Sequence, residues 1–478
     1  RQRVKINGFI SDNPLDKLKI EFEDFNMATL NQLARPSGIE LGGTLNGSAE
    51  LSGITKTPGF ESDLGIDSLT MNQTFIGKVK IVSSLDNDKK LANVKFNILN
   101  RGLETMNISG IYNLAKDAGQ PLDFDIKMDQ AEAIIFNPFV KNLVSNLKGT
   151  ISADLKLTGK PSKPDLNGKL TFINTGVTVD YLKTAYTLND ALTVDHSVVK
   201  INKLALKDIR GNEATANGTV DLTNISNPDI EVTVNARNFM ALNTTFKDNH
   251  IYYGVAYGTG TFKFNGPTDN MNIDIEASTQ DGTVFNIPLN TSSTASDYDF
   301  IRFVSHKDTA RIIEQPTAFK GVTLNLKLRV DEKTLVKITT DYGRLEGRGT
   351  ANDLLLNINS LGDFEMFGDF LIQSGKFEFT AKDFISKNFT VNQGGTIRWT
   401  SNPSNAAINM KAIYETRAKI GDLYKAAGRE SATGDQFKQV QAELILTQTL
   451  LHPKIEFDFN FPTDPSIKDD LATYLNDE

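Results

Sequence analysis

The chain has 478 residues, 39% of them hydrophobic and 23% charged, with 51 Lys and Arg against 59 Asp and Glu for a formal net charge of −8. That apolar content can bury a large core, which excludes a disordered chain, and the mildly acidic balance lacks the basic stripe expected when nucleic acid is the main partner. The absence of cysteine removes disulfides, thiolate chemistry, Fe–S clusters and Cys-type zinc sites together. No run approaches the roughly 18–20 apolar residues of a membrane-spanning helix. Length alone suggests about three domains. The chain starts Arg1-Gln2-Arg3 and stops at Tyr474-Leu475-Asn476-Asp477-Glu478 inside a helical pattern, so both ends read as cuts in a longer protein.

The first predicted element is a helix from about Met27 to Ala34, with Met27, Leu30 and Leu33 on one side. The next is a helix from Pro138 to Leu147, capped by Asn137, with Phe139, Val140, Leu143, Val144 and Leu147 on one side and Gly149 after its end. Its polar side offers only Lys141 and Lys148, so a cover over its own sheet suits it better than a membrane-surface helix. Weaker helix patterns lie near Tyr298–Val304, Ile420–Ala427 and Pro465–Leu475.

Almost everything else alternates with period two, which places successive side chains on opposite faces of a strand. The apolar members are Leu155 and Leu157, Leu170 and Phe172, then Ile230, Val232 and Val234. Phe262 and Phe264, Ile273 and Ile275, and Leu324, Leu326 and Leu328 follow. Val336 and Ile338, Leu354, Leu356 and Ile358, Phe377 and Phe379, Ile397 and Trp399, and Ile408 and Met410 continue the pattern. The last strong strand runs from Lys454 to Phe461, with Ile455, Phe457, Phe459 and Phe461 on one face and Lys454, Glu456 and Asp458 on the other. Alternation of this kind predicts antiparallel strands with one wet face, and Asn265-Gly266-Pro267 and Gln393-Gly394-Gly395 read as turns.

The strands repeat. Gly43–Gly53 returns as Gly149–Gly159, 106 residues later, and a Pro-led strand follows each copy, at Pro58 and Pro164. Gly102–Gly110 matches Gly211–Gly218, and the strand from Pro121 matches the one from Pro228. A third copy opens at Asn238-Phe239-Met240-Ala241-Leu242-Asn243, echoing Asn26-Met27-Ala28-Thr29-Leu30-Asn31. The segments are 1–126, 127–236, a degenerate 237–319 and a Phe-rich 320–478. No Pro-, Ser- or Gly-rich spacer separates them, so one continuous sheet is expected, each repeat burying its apolar face with its neighbours. At about 4.8 Å per strand, roughly thirty strands would extend ~150 Å.

Motifs for chemistry are missing. His196, His250, His306 and His452 are far apart, and Gly258-Thr259-Gly260 lacks the third glycine and helix of a dinucleotide site. The carboxylates occupy the polar faces of alternating strands and read as a solvated surface. No catalytic residue, metal site or cofactor is assigned, and an enzyme is not expected. Asp67-Ser68-Leu69 and Asp308-Thr309-Ala310 fit a short Asp-Ser/Thr-apolar O-glycosylation pattern of some envelope bacteria. Phe supplies 29 of the aromatics against 11 Tyr and 1 Trp, so most aromatic surface has no polar handle. Phe364, Phe367, Phe370, Phe377, Phe379, Phe384 and Phe389 crowd one region. Such a face is either the core between two packed sheets or the lining of one sheet curled into a trough, and periodicity does not separate the two.

The stretch Phe367-Gly368-Asp369-Phe370-Leu371-Ile372-Gln373-Ser374-Gly375-Lys376-Phe377-Glu378-Phe379 leads to Phe389-Thr390-Val391. Gly394-Gly395-Thr396-Ile397-Arg398-Trp399-Thr400, Asn402-Pro403 and Ala407-Ile408-Asn409-Met410-Lys411-Ala412-Ile413-Tyr414 follow, then Glu443–Leu450 and His452–Ile455. This series resembles the C-terminal domain of the TamB family over about 320–462, and the upstream repeats resemble AsmA-like and TamB repeats. The Asn-, Lys- and Phe-rich usage is similar to a Bacteroidetes version. The resemblance implies an all-β half-pipe, or β-taco, with an apolar interior formed by the alternating residues named above. It implies a periplasmic protein of the Gram-negative envelope, anchored in the inner membrane by an N-terminal helix absent here and reaching the outer membrane. It further implies carriage of phospholipid, a role in outer-membrane lipid and protein assembly and secretion, and a TamA-like Omp85 barrel as partner. The strand Lys454–Phe461 is the expected partner edge, because an unpaired strand edge recruits another strand. The chain departs from the family in lacking the anchor helix and the final strands. The rival reading is a multidomain β-sandwich adhesin, which the 106-residue spacing permits. An outer-membrane barrel would carry Tyr and Trp girdles that a single Trp does not supply.

The two surviving readings separate by solution scattering. The continuous sheet is expected to give a radius of gyration well above the roughly 23 Å of a globular chain of this length, and a value near that figure rejects it.

Overall fold

The structure, a computed structural model, describes residues 2–13, 15–34, 38–53, 58–86, 89–115, 118–140, 144–289, 321–359, 363–381, 385–429 and 436–475. Lys141, Leu143, the Tyr298–Val304 pattern, His306, Asp308-Thr309-Ala310 and Phe384 lie outside the described residues. The fold is all-β, with 27 strands in one sheet. The chain divides into two compact units, Arg1–Asn235 with Lys263–Met271, and Ala236–Phe262 with Asn272–Glu478.

The first unit is an antiparallel meander. Its strands are β1 (Arg3–Gly8), β2 (Lys17–Asn26), β3 (Leu41–Ser52), β4 (Gly59–Met71), β5 (Thr74–Asp86), β6 (Leu91–Asn100), β7 (Leu103–Asn113), β8 (Leu122–Glu132), β9 (Val144–Lys160) and β10 (Lys163–Val179). Each pairs with the next. β11 (Thr184–Leu188) and β12 (Ala191–Asp195) share β10 and β13 (Val198–Asp208), and β14 (Glu213–Asp221) follows. Tight turns with two left-handed residues join several hairpins, as at Asn72-Gln73 (φ 48° and 68°) and His196-Ser197 (φ 50° and 63°). That geometry matches the twist of the flanking strands.

Bulges bend these strands along one line. Register jumps occur between Phe22 and Phe25, Ile66 and Leu69, Met128 and Ala131, and Ile201 and Leu204. At each jump the inward-facing apolar residues stand three apart instead of two. Asp24, Ser68, Gln130 and Lys203 supply the extra residue with φ of 48°, 53°, 46° and 56°. A bulge strands one backbone N–H and bends its strand. Side chains on the neighbouring strand accept several of these N–H groups. Asp24 N–H donates to Asn46 Oδ1 at 2.8 Å, Gln130 N–H to Ser152 Oγ at 3.0 Å, and Lys203 N–H to Asn217 Oδ1 at 2.9 Å.

Two short helical segments lie on the apolar side. A 3-10 turn, Met27–Leu30, runs into α1 (Asn31–Ala34), as expected. Asn26 caps it, and the buried Asn31 side chain bonds both N–H and C=O of Leu41. The helix expected at Pro138–Leu147 is corrected. A 3-10 turn occupies Ala133–Phe139, with Pro138 inside it and Asn137 not acting as a cap. Val144–Leu147 instead opens β9, where Val144 and Ser145 pair with Val179 and Thr178. Ladder pairing with a long partner overrides a weak local helical spacing.

β15 (Asp229–Thr244), β16 (Tyr253–Pro267) and β17 (Met271–Thr279) follow. The second unit continues with β18 (Val284–Pro288), β19 (Val322–Val330), β20 (Leu335–Thr340), β21 (Gly343–Asn359), β22 (Phe364–Ala381), β23 (Ile385–Val391), β24 (Thr396–Ser401), β25 (Ala407–Lys419), β26 (Phe437–Thr449) and β27 (Pro453–Asn460). Long strands serve two short partners each: β21 pairs with β19 and β20, and β22 with β23 and β24. The antiparallel expectation does not hold throughout, since β18 and β20 run parallel, Val284 opposite Leu335 through Pro288 opposite Thr339. The helical patterns at Ile420 and Pro465 appear as α2 (Ile420–Ala426), α3 (Ser466–Asp470) and α4 (Ala472–Leu475).

The Asn-Gly pairs at Asn46-Gly47, Asn167-Gly168 and Asn217-Gly218 sit inside strands, where their asparagines reach neighbouring backbone N–H groups. Gly168 has φ +141°, and a Cβ there would lie 2.1 Å from the Asp154 carbonyl oxygen. Gly168→Ala is therefore expected to lower the urea-unfolding free energy by more than about 1 kcal/mol, the threshold above which backbone incompatibility outweighs any loss of unfolded-state entropy. An unchanged midpoint would contradict the close approach of the Asp154 backbone to Gly168.

Candidate functional site

Registered cross-strand pairs gather the apolar residues onto one face of each unit. In the first unit one row runs Phe25, Leu45, Ile66, Val79, Ile98, Met106, Met128, Ala153, Leu170 and Leu192. A second runs Phe22, Gly47, Leu64, Ile81, Phe96, Ile108, Ile126 and Leu155. The first row is buried over most of its length, because Met27 and Leu30 of the 3-10 turn and Ile135 and Phe136 of the next one pack against it. In the second row Leu64, Ile81, Phe96, Ile108 and Ile126 are half-buried, the first four packed against this cluster and Ile126 against the next.

The opposite face is charged. Glu21, Ser48 and Asp63 form one row, and Lys95, Ser109, Asp125, Lys156 and Asn167 continue across the sheet. Lys156 reaches Asp123 and, at 3.2 Å, Asp125, and Lys17 meets Glu50 at 2.8 Å. In the second unit Arg398 grips Asp369 with both N–H groups, at 2.6 and 3.0 Å. This hydrogen bond holds the Asp369 carboxyl below the usual carboxylate range, and Asp123 raises Lys156 in the same way. A lowered carboxylate adds stability above its unfolded pKa, and that stability is lost as pH falls through the folded value. These pairs are exposed, so the contribution is small.

The positions predicted from the sequence fall as follows. Leu155 is buried, and Leu170, Phe172, Val232 and Val234 are half-buried against the same cluster. Leu157, Ile230, Phe264 and Ile275 are half-buried, and Phe262 and Ile273 are buried. In the second unit one apolar cluster holds Ile338, Leu354, Leu356, Phe377, Ile397, Trp399, Ile408 and Met410, with Leu326, Leu328, Val336 and Phe379 packed against it. Leu324 and Ile358, opposite each other on β19 and β21, are buried too. The sequence reading missed the row from Leu64 to Ile126, although the signal was present in alternation such as Asp123-Phe124-Asp125-Ile126-Lys127-Met128.

The expected partner edge divides in two. Ile455 packs on the large cluster, whereas Phe459 and Phe461 join a second one with Ile420 and Tyr424 of α2, Ile467 of α3 and Leu471. Phe461 lies one residue beyond β27, and Phe457 is 54% exposed. β27 is laddered to β26, and no other strand pairs with it among the described residues. Lys468 of α3 binds Asp458 at 2.7 Å and Asn460 at 2.9 Å, and Tyr424 donates to Asp470 at 3.0 Å.

The sheet of the second unit curls back on itself. The rings of Phe379 on β22 and Phe457 on β27 lie 6.4 Å apart at 75°, although β23, β25 and β26 intervene in the ladder. A cavity of about 20 Å³ between these walls is lined by Ile338, Leu345, Phe377, Met410, Leu446 and Ile455 among others, room for about one water-sized sphere. Trp399 is buried in the same cluster with no partner for its indole N–H.

Of the histidines, His196 is exposed at a hairpin turn near Asp165 and His250 stacks edge-on against Phe246. Among the described residues no three His, Cys, Asp or Glu side chains converge on a metal position, and no helix is long and apolar enough to cross a membrane.

A curled sheet with one apolar and one charged face defines a β-groove type of protein. The family model for the TamB C-terminal domain matches residues 202–476, and that for the TamB N-terminal domain matches residues 10–172. The chain belongs to the TamB family, periplasmic envelope proteins of the AsmA-like type that serve transport and assembly rather than catalysis. No curated protein matches the chain.

Proposed function

We propose that this chain carries phospholipid acyl chains on its apolar sheet faces, as part of outer-membrane lipid and protein assembly. The observation that carries the reading is the row Leu64, Ile81, Phe96, Ile108 and Ile126, which packs on the apolar clusters yet keeps part of its surface open beside a buried row on the same face. Soluble proteins rarely keep a contiguous apolar patch beyond a few hundred Å² without something to bind. Acyl chains suit it, because each buried CH₂ gains about 0.8 kcal/mol and no polar contact is required.

The reading also covers the second unit, where Phe379, Ile397, Trp399, Ile408 and Met410 are the lining residues. The protein acts in the periplasm, anchored to the inner membrane by a segment outside this sequence. It works with a TamA-like Omp85 barrel that adds a strand at the β27 edge. Lys454, Glu456 and Asp458 on the charged face of that strand discourage indiscriminate pairing.

Photocrosslinking tests the carriage. A probe at Ile126 or Phe96 is expected to trap phospholipid in cells, and probes at the neighbouring Asp125 or Lys95 are not. Equal trapping from both faces would reject the groove. Ile126→Asp is expected to block passage, because an ionised carboxylate is strongly disfavoured among hydrocarbon chains. Lys127→Asp, on the charged face, is expected to leave passage unchanged.

Pulldowns test the partner. Full-length protein lacking residues 453–475 is expected to lose capture of the Omp85 barrel while keeping crosslinks from Ile126. Undiminished capture would move the docking site elsewhere.

A further inference from the structure

The interior of the second unit is too full to hold an acyl chain as it stands. Its cavity measures about 20 Å³, and Ile338, Leu356, Ile397 and Leu444 are essentially inaccessible. Yet two walls of this interior meet without any ladder between them among the described residues. β27 faces β20–β22 across the cavity, with Pro453 and Ile455 on one side and Ile338, Thr340 and Leu345 on the other. The seam is closed by side chains, in the edge-to-face contact of Phe457 on Phe379 and the packing of Ile455 on the large cluster. Contacts between side chains of this kind part far more readily than a hydrogen-bonded strand pair.

We propose that this seam is a clasp, and that acyl chains enter the second unit only when β27 swings away from β20–β22 and Phe457 leaves Phe379. The inference deepens the lipid-carrying reading above and rests on it. Among the described residues one ladder holds β27, to β26; α3 is tied to it through Lys468, Asp458 and Asn460, and Phe459, Phe461 and α3 pack on α2, so β27 swings together with α2 and α3. Phe457 is the sensible latch, being half in water when closed and replaceable by an acyl chain against Phe379 when open. The clasp would keep the large apolar cluster dry in the absence of cargo, whereas the second row of the first unit is only half-buried.

The chain suits a direct test, since it has a single tryptophan, Trp399, inside the clasped interior, and no cysteine. Phe379→Cys and Phe457→Cys are combined in the full chain and bridged by a short disulfide-cleavable bis-thiol reagent. The protein is mixed with vesicles of phosphatidylethanolamine and phosphatidylglycerol whose acyl chains are brominated, which quench tryptophan on contact. Trp399 emission is expected to keep its full intensity while bridged and to be quenched once the bridge is cleaved. Phe457→Ala, a change at a half-exposed position, is expected to be quenched faster than the unmodified chain. An Ile126 photoprobe in the same protein reports lipid in the first unit.

Quenching that ignores the bridge overturns the clasp. So does the absence of quenching in both states while Ile126 traps lipid, which would make the second unit a closed core and leave the carriage reading to the first. Bridge-dependent quenching without trapping at Ile126 supports the clasp and sinks the carriage reading for the first unit. Failure of both signals sinks both.

Discussion

The structure depends on holding a two-residue alternation in register from strand to strand while the strands themselves bend. Each strand offers one apolar and one charged edge, and a slip of one residue would turn a whole strand inside out. The cross-strand rows show that no slip survives: Ile66 stands opposite Val79, Val79 opposite Ile98, and Ile98 opposite Met106. A flat sheet could do this with uniform alternation. A curled one needs each strand to turn a corner, and the bulges at Asp24, Ser68, Gln130 and Lys203 make that corner without losing the face. The extra residue is absorbed on the charged side, so the apolar series resumes three residues on. The stranded N–H groups of Asp24 and Lys203 are met by Asn46 and Asn217, which accounts for asparagine in the middle of strands, where propensity disfavours it.

The two units use this surface differently. In the first, short 3-10 turns cover one row and leave the neighbouring row half-wet. In the second, curling brings opposite walls together, so that Ile338, Phe377, Met410 and Ile455 fill the space between them. The choice between a packed core and an open trough therefore has no single answer for this chain. Periodicity could not have decided it, because both outcomes place the same residues on the same face. What decides is curvature and cover, which arise from bulges and helical turns rather than from the alternation.

Much of the architecture was legible in the sequence. The strands, the Met27 turn, the terminal helices and the charged face all follow from local patterns. The Pro138 helix was misread because Phe139, Val140 and Val144 have helical spacing while Val144 is needed opposite Val179. The parallel contact of β18 and β20 was invisible, since only the partner strand fixes direction. The bulges were readable in retrospect. Ile201-Asn202-Lys203-Leu204 puts two polar residues between apolar ones, as does Ile66-Asp67-Ser68-Leu69, and both mark corners. Asn-Gly pairs are ordinarily hairpin signals, yet Asn167-Gly168 and Asn217-Gly218 serve as acceptors and close approaches inside strands.

Cross-strand registry also explains how such a surface can bind without a pocket of defined chemistry. Specific recognition of a small molecule needs converging polar groups held by a second layer of contacts. Here the charged side chains are occupied on the far face, in pairs such as Arg398 with Asp369 and Lys156 with Asp125. The near face presents aliphatic and phenyl groups whose affinity is proportional to area. A ligand held only by area can slide along the row at little cost, because each side chain it leaves behind is replaced by an equivalent one further on. A polar anchor midway would act as a trap. The row from Leu64 to Ile126 is built of aliphatic and phenyl side chains throughout, so under the proposed carriage it offers no such trap, whereas the second unit holds the orphaned indole N–H of Trp399 within its buried cluster.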